Sequence, residues 1–214
     1  MSSVFDYHRT YSLASTLIAE WEGFRATPYE DSVGVETVGY GFTAHLPYWS
    51  AIKDATPLSK QDADQFLALA LEDTYLPALY EMTEQGVVDA PHKAAALASW
   101  TYNIGVPSAR NSTLIEHLNA GDEEEAEAEL LRWTYAGGVV LEGLVARREA
   151  ERRMMERDET GRASRAALTP AAQAGTQKVP VAEVKRLPDG ADGGTVRLDL
   201  PDHVSDPYSL PSSV

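Results

Sequence analysis

The sequence predicts an α+β fold, mainly α, of two unequal lobes: a small N-terminal β-hairpin lobe, a long connecting helix and a C-terminal helical lobe. Three observations lead there. Apolar residues recur at helical spacing over most of residues 10–157. That pattern is interrupted over 28–43 by turn residues and a short strand-like run. After Asp158 it stops, and half of the 12 prolines fall in the last quarter of the chain.

The elements follow in order. Leu13, Leu17, Ile18 and Trp21 share one face of a first helix, with Gly23 as its stop. Asp31 and Gly34 fit the first and last positions of a type I turn. "ETVGYGF", residues 36–42, reads as the returning strand of a hairpin. Ser59 and Asp62 form a capping signal for a long helix through Phe66, Leu67, Ala70 and Leu71. Pro77 should kink or end that helix. Further helices are expected at about 91–103, 112–119, 122–136 and 141–157, the first three closed by Gly105, Gly121 and Gly137. Asp122 with Glu125 repeats the capping signal.

The domain expected from this is 1–157. Residues 158–214 form a Pro/Gly-rich extended tail, in which "VPVAEV" and "TVRLDL" alternate apolar and polar residues. Such segments could pair with each other or add to a partner's sheet.

Composition removes several function classes. A net charge of −15 repels phosphate backbones, so no nucleic-acid partner is expected. There is no cysteine, hence no disulfide framework or thiol nucleophile. His8, His45, His92, His117 and His203 include no H-x-x-x-H or H-x-H pair, which argues against a zinc site. "DGADGG", 189–194, lacks the ligand spacing of a calcium loop. No metal or other cofactor is expected. The N-terminus lacks the basic start and apolar run of a signal peptide, and no stretch approaches the ~20 apolar residues that span a bilayer. The expectation is a soluble chain without membrane insertion.

The chemistry concentrates in "WEGFRATPYEDSVGVETVGYGFT", residues 21–43. Glu22 ends the first helix, where the helix dipole disfavours a carboxylate, and Trp21 and Phe24 add apolar surroundings. Both effects raise a carboxyl pKa, as a general acid near neutrality requires. Asp31, in a turn, is expected to be wetter and ionised, and Thr37 on the returning strand could face it and hold a water. Two carboxyl groups pushed apart in this way suit the hydrolysis of a glycosidic bond. The strand glycines would let a sugar approach the backbone. A solvated Glu, a turn-forming Asp and a strand Thr would account for the same residues, so both readings stand at this point.

"EGFRATPYEDSVGVETVGYGFT" resembles the catalytic signature of phage-type lysozymes, glycoside hydrolase family 24: Glu, eight residues, Asp or Cys, five residues, Thr, then a glycine-rich strand. The resemblance continues through "LSKQDADQFLALALEDTYLPALY", "HKAAALASWTYNIG", "NSTLIEHLNAGD", "LLRWTYAGG" and "GLVARREAERRMM", covering about residues 10–157. It implies a lysozyme-like fold and a muramidase cleaving peptidoglycan between N-acetylmuramic acid and N-acetylglucosamine. It implies Glu22 as the acid, with Asp31 and Thr37 positioning or activating water or stabilising the oxocarbenium ion. Tyr102, Asn103 and Thr113 match cleft-lining positions loosely. Phe42 departs from the family pattern, which often has His there; that puts hairpin packing in question more than catalysis. The resemblance brings no metal.

Trp100 and Trp133 are expected in the core rather than as sugar platforms. "ARREAERRMMER" reads as a helix end with i, i+4 charge pairs. Two settings fit the chemistry. One is an endolysin held in the host cytoplasm until a holin opens the way to the periplasmic peptidoglycan. The other is a virion component of tail or baseplate, bound to phage structural proteins through 158–214. A lysozyme fold kept only for binding is the third reading, which intact Glu22, Asp31 and Thr37 oppose.

Overall fold

The structure, a computed structural model, describes residues 7–31, 34–136 and 138–156; the expected tail, 158–214, lies outside the described residues. At its centre runs helix α5, Pro91–Ile104, in which every residue from Ala94 to Thr101 is buried. A helix apolar on all sides belongs inside a core. Its alanines, Ala94, Ala95, Ala96 and Ala98, leave room for neighbours on two sides. Helix α1, Tyr7–Glu22, packs on one, and α9, Glu142–Met155, on another. Helix α1 buries Thr10, Ala14, Leu17 and Ile18, one stripe at helical spacing, and stops where Gly23 adopts φ +69°.

The hairpin follows at once. Strand β1, Arg25–Glu30, pairs antiparallel with β2, Glu36–Gly39, with Tyr29 opposite Thr37 and Glu30 opposite Glu36. The returning strand is shorter than expected. Gly39 and Gly41, at φ +68° and +88°, turn the chain about Tyr40, so that Val38 and Phe42 exchange both backbone hydrogen bonds. The ring of Phe42 folds beneath Gly39, where an added Cβ would stand 2.5 Å from it. Phe42 is buried and meets Tyr40 and Phe66 edge-on, at 6.2 and 6.4 Å between ring centroids. The hairpin packing in question at Phe42 is therefore aromatic.

Helix α2, Trp49–Asp54, was not signalled by the sequence. Helix α3, Lys60–Ala70, opens with the expected capping box: Ser59 Oγ accepts from Asp62 N–H, and Asp62 accepts from Ser59 N–H. Pro77 does not end the helical run. The five residues Leu71–Tyr75 wind as a π turn, and Leu76 donates to Leu71 before α4, Leu76–Met82, continues. The widened register takes the chain past the proline.

Beyond α5 come the short α6, Val106–Arg110, also unsignalled, and α7, Thr113–Ala120, closed by Gly121 in the left-handed region. Helix α8, Glu123–Leu130, ends six residues before its expected limit. Tyr135–Ala136 (β3) instead pairs with Val139–Val140 (β4), with Gly138 at φ +74°; Gly137, expected to close the helix, lies outside the described residues. The capping signal at Asp122 also fails: its side chain caps nothing and lies 3.7 Å from His117. Trp100 and Trp133 are buried and pack edge-to-face at 5.5 Å, as expected of core residues.

Candidate active site

Glu22 is the last residue of α1 and keeps a side chain 22% exposed. One carboxylate oxygen, Oε1, accepts a 2.6 Å hydrogen bond from Arg147 Nη1. The other, Oε2, faces Gly41, where an added Cβ would come within 3.6 Å. Beside the apolar neighbours expected for Glu22 the structure thus places a guanidinium in direct contact with it.

Arg147 is held at each of its nitrogens. Nε donates to Glu151 at 3.1 Å and Nη2 to the Ser99 carbonyl at 3.1 Å. Burial opposes its charge, but Glu22 and Glu151 outweigh that cost and hold the guanidinium above its ordinary range. Glu151 is fully buried and shared: Ser99 Oγ donates to it at 2.7 Å, and Arg148 Nε lies 2.9 Å from its second oxygen. Arg148 Nη2 reaches Asn103 Oδ1 at 2.9 Å. Burial pulls Arg148 down to about 10, against the pull of Glu151, which still leaves it charged at neutral pH. Buried charges persist only when paired, and here the buried Arg147, Arg148 and Glu151 form one chain with the part-exposed Glu22.

The i, i+4 charge pairing read from "ARREAERRMMER" is present, in Arg147 with Glu151 and Arg152 with Glu156, but Arg147, Arg148 and Glu151 are buried. Arg147 is the functional candidate that sequence reasoning missed. Its signal was faint: two adjacent arginines and a glutamate with i, i+4 spacing look the same on a wet face.

Asp31 and Thr37 meet at the backbone of Val35. Val35 N–H donates to Asp31 Oδ1 at 2.8 Å, and its carbonyl accepts from Asp31 N–H at 2.9 Å and from Thr37 Oγ1 at 3.0 Å. Gly34 N–H closes the turn on the Asp31 carbonyl at 3.0 Å. Thr37 stands opposite Tyr29 in the paired strands, and Asp31 follows β1 directly at the turn. Asp31 is only 6% exposed, so the wetter carboxylate of the two is Glu22, the reverse of the expectation. Turn chemistry marks an Asp as a turn former and says nothing of what packs above it.

The expected substrate contacts are dispersed. Tyr102, half-buried on α5, donates to the Tyr40 carbonyl at 2.7 Å and stacks obliquely on Tyr75. Burial drives its phenol well above the ordinary value, with Tyr75 and Glu22 adding to the shift. Tyr40 in turn donates to Asp64 on α3 at 2.7 Å. The glycine turn beside Glu22 is thereby clamped from two helices. Asn103 reaches the site through Arg148. The Thr113 hydroxyl donates to Glu129 at 2.7 Å and ties α7 to α8.

Comparison with known proteins places this geometry. A sequence model of the phage lysozyme family matches residues 19–151. The SAR-endolysin of Bacteriophage PS119 is 40% identical over 132 residues, 61% of this chain and 74% of that protein. The muramidase domain of SpmX from Asticaccaulis excentricus superposes with a TM-score of 0.57 at 25% identity, covering 66% of this chain and 93% of that one. A P22 lysozyme structure gives a TM-score of 0.57 at 24% identity, covering 67% and 95%, and shares the fold.

Proposed function

The chain belongs to the phage lysozyme family, and we propose that it cleaves the β-1,4 bond between N-acetylmuramic acid and N-acetylglucosamine with Glu22 as the acid. It is a muramidase, a glycoside hydrolase acting on peptidoglycan in phage lysis of the host. The bond and the residue roles are our reading, supported chiefly by the partly exposed carboxyl at the end of α1, anchored through one oxygen by Arg147.

In this reading Glu22 gives its proton to the leaving glycosidic oxygen as the C1–O bond breaks. A water oxygen then bonds to C1 and its proton passes to a carboxylate. Asp31 and Thr37 position that water or stabilise the oxocarbenium ion. The Thr37 hydroxyl, buried at 1% exposure, donates its proton to the Val35 carbonyl, so its oxygen is left as an acceptor. Tyr102, Asn103 and Thr113 are carried as substrate contacts, although the Tyr102 hydroxyl, the Asn103 carbonyl oxygen and the Thr113 hydroxyl already bond within the protein.

The test is muropeptide release from purified peptidoglycan by the wild type and by Glu22→Gln. Loss of a general acid predicts a fall of about 100-fold or more. Equal release would overturn the assignment.

Residues 1–157 are proposed as the catalytic domain, with 158–214 appended. Release from the host cytoplasm through a holin lesion to the periplasmic peptidoglycan fits this reading. Among the described residues no helix is long and apolar enough to cross a membrane. The length of the appended segment favours one second reading, a virion component bound to phage structural proteins through 158–214. Mass spectrometry of purified particles decides it: absence of the chain removes the virion reading.

A further inference from the structure

Glu151 has no part in the proposed reaction, yet it is a fully buried carboxylate one guanidinium away from the candidate acid. Arg147 touches Glu22, and Arg148, paired with Glu151, is near enough to feel the charge of Glu22; a single carboxylate could not balance both cations. We propose that Glu151 is the counter-charge that neutralises one of these two guanidinium groups, and so sets the pH range over which Glu22 holds its proton. Glu151 is then a positioning residue acting through Arg147, and this rests on the reading of Glu22 as the acid.

The charge balance carries the inference. With Glu22 ionised, the cluster of Glu22, Arg147, Arg148 and Glu151 sums to zero; with Glu22 protonated it carries a single positive charge. Replacing Glu151 by a neutral group adds one positive charge to both states. Protonating Glu22 would then create a second uncompensated cation in a buried cluster, which a low-dielectric site resists. Among the described residues no further carboxylate forms an ion pair with Arg147 or Arg148. From α5 the cluster meets the Ser99 hydroxyl and carbonyl, the Tyr102 phenol and the Asn103 amide, all neutral. From the hairpin it meets Gly41, and the nearby Asp64 is bonded to Tyr40. Of the five glutamates of α8, packed against α9, Glu124 and Glu125 are exposed, Glu123 pairs with Lys93, Glu127 faces Arg152 and Glu156, and Glu129 is bonded to Thr113 and Arg132.

The geometry also explains why Glu151 is placed to act without touching substrate. Its Oε1 is aimed by Ser99 and Arg147 and its Oε2 by Arg148, so its charge is fixed in position rather than free to swing.

Two variants give opposite signs. Glu151→Gln keeps shape and the bond from Ser99 but removes the anion; the alkaline limb of the pH–rate profile moves acid-ward by about one unit. Arg148→Gln removes a cation; the same limb moves alkaline-ward by about as much. A merely structural role would lower activity in both without opposite displacements, and limbs that stay put or move together overturn the proposal. Either variant alone fixes the sign if the other does not fold. Carboxyl-carbon NMR titration of Glu22 in the same proteins reads the coupling without activity. A titration that moves while Glu22→Gln retains hydrolysis sinks the assignment of the acid and leaves the coupling standing. A titration that does not move sinks the coupling.

Discussion

Arg147 Nη1 meets Glu22 Oε1 at 2.6 Å, a contact between residues 125 positions apart. It joins the end of the first helix to the middle of the last described one, and the central helix α5 supplies the Ser99 carbonyl that holds the arginine in place. The candidate acid is thus anchored by a group whose own position depends on three helices.

Arg147→Met should show how much rests on that anchor. It leaves the buried Glu151 with one cation fewer and Glu22 without a partner. Removing one member of a buried pair costs about 3 kcal/mol or more. Urea denaturation should show a midpoint lowered accordingly, with hydrolysis reduced at least about tenfold. A midpoint unchanged from the wild type would contradict the network.

Asp31→Asn separates charge from shape. Its amide oxygen still accepts from Val35 N–H, so the turn should persist and the melting temperature stay within a few degrees. Hydrolysis should nonetheless fall by about 100-fold if the charge serves the reaction. Retained activity would assign Asp31 to the turn alone.

Gly39→Ala tests the folded-back turn. The position combines φ +68° with a Cβ 2.5 Å from the Phe42 ring, whereas Gly23, at φ +69°, has nothing within 4 Å. Backbone strain of about 1 kcal/mol is common to both. The clash should add about 1–3 kcal/mol at Gly39 only. Equal thermal destabilisation of Gly39→Ala and Gly23→Ala would show that the Phe42 ring moves aside at no cost.

Tyr40 ties the turn to Asp64 and should leave an alkaline signature. Burial, followed by the Asp64 hydrogen bond, pushes its phenol from 10.0 to about 12. A raised value stabilises the fold fully below pH 10, and that stability is lost as pH rises through 12. Tyr40→Phe should therefore lower the melting temperature at pH 8 and flatten its decline between pH 10 and 12. An unaltered slope across that window would remove Tyr40 from the account.

How much of this was legible in the sequence depends on the range of each interaction. The first helix, its glycine stop, the Ser59–Asp62 box and the spacing of Glu22, Asp31 and Thr37 are local features that carry their signal within a few residues. The end of α8 was not legible because Trp133 and Ala136 continue an apolar pattern, while the chain has already left the helix to form the β3–β4 pair. Pro77 misled because a π turn upstream changes which backbone group must bond. The burial of Asp31 and the ion chain from Glu22 to Arg148 depend on what packs against them, and charged residues are seldom so buried. No window of sequence contains that information.

The distance in sequence between Glu22 and Arg147 has a consequence during synthesis. The ribosome delivers the candidate acid early and its guanidinium after 125 more residues, which at 5–20 residues per second is on the order of ten seconds. A nascent or truncated chain that stops short of α9 carries the acid and the hairpin but not the group that holds the acid in place. The anchor of the candidate acid is thus made in the last described helix, long after the acid itself.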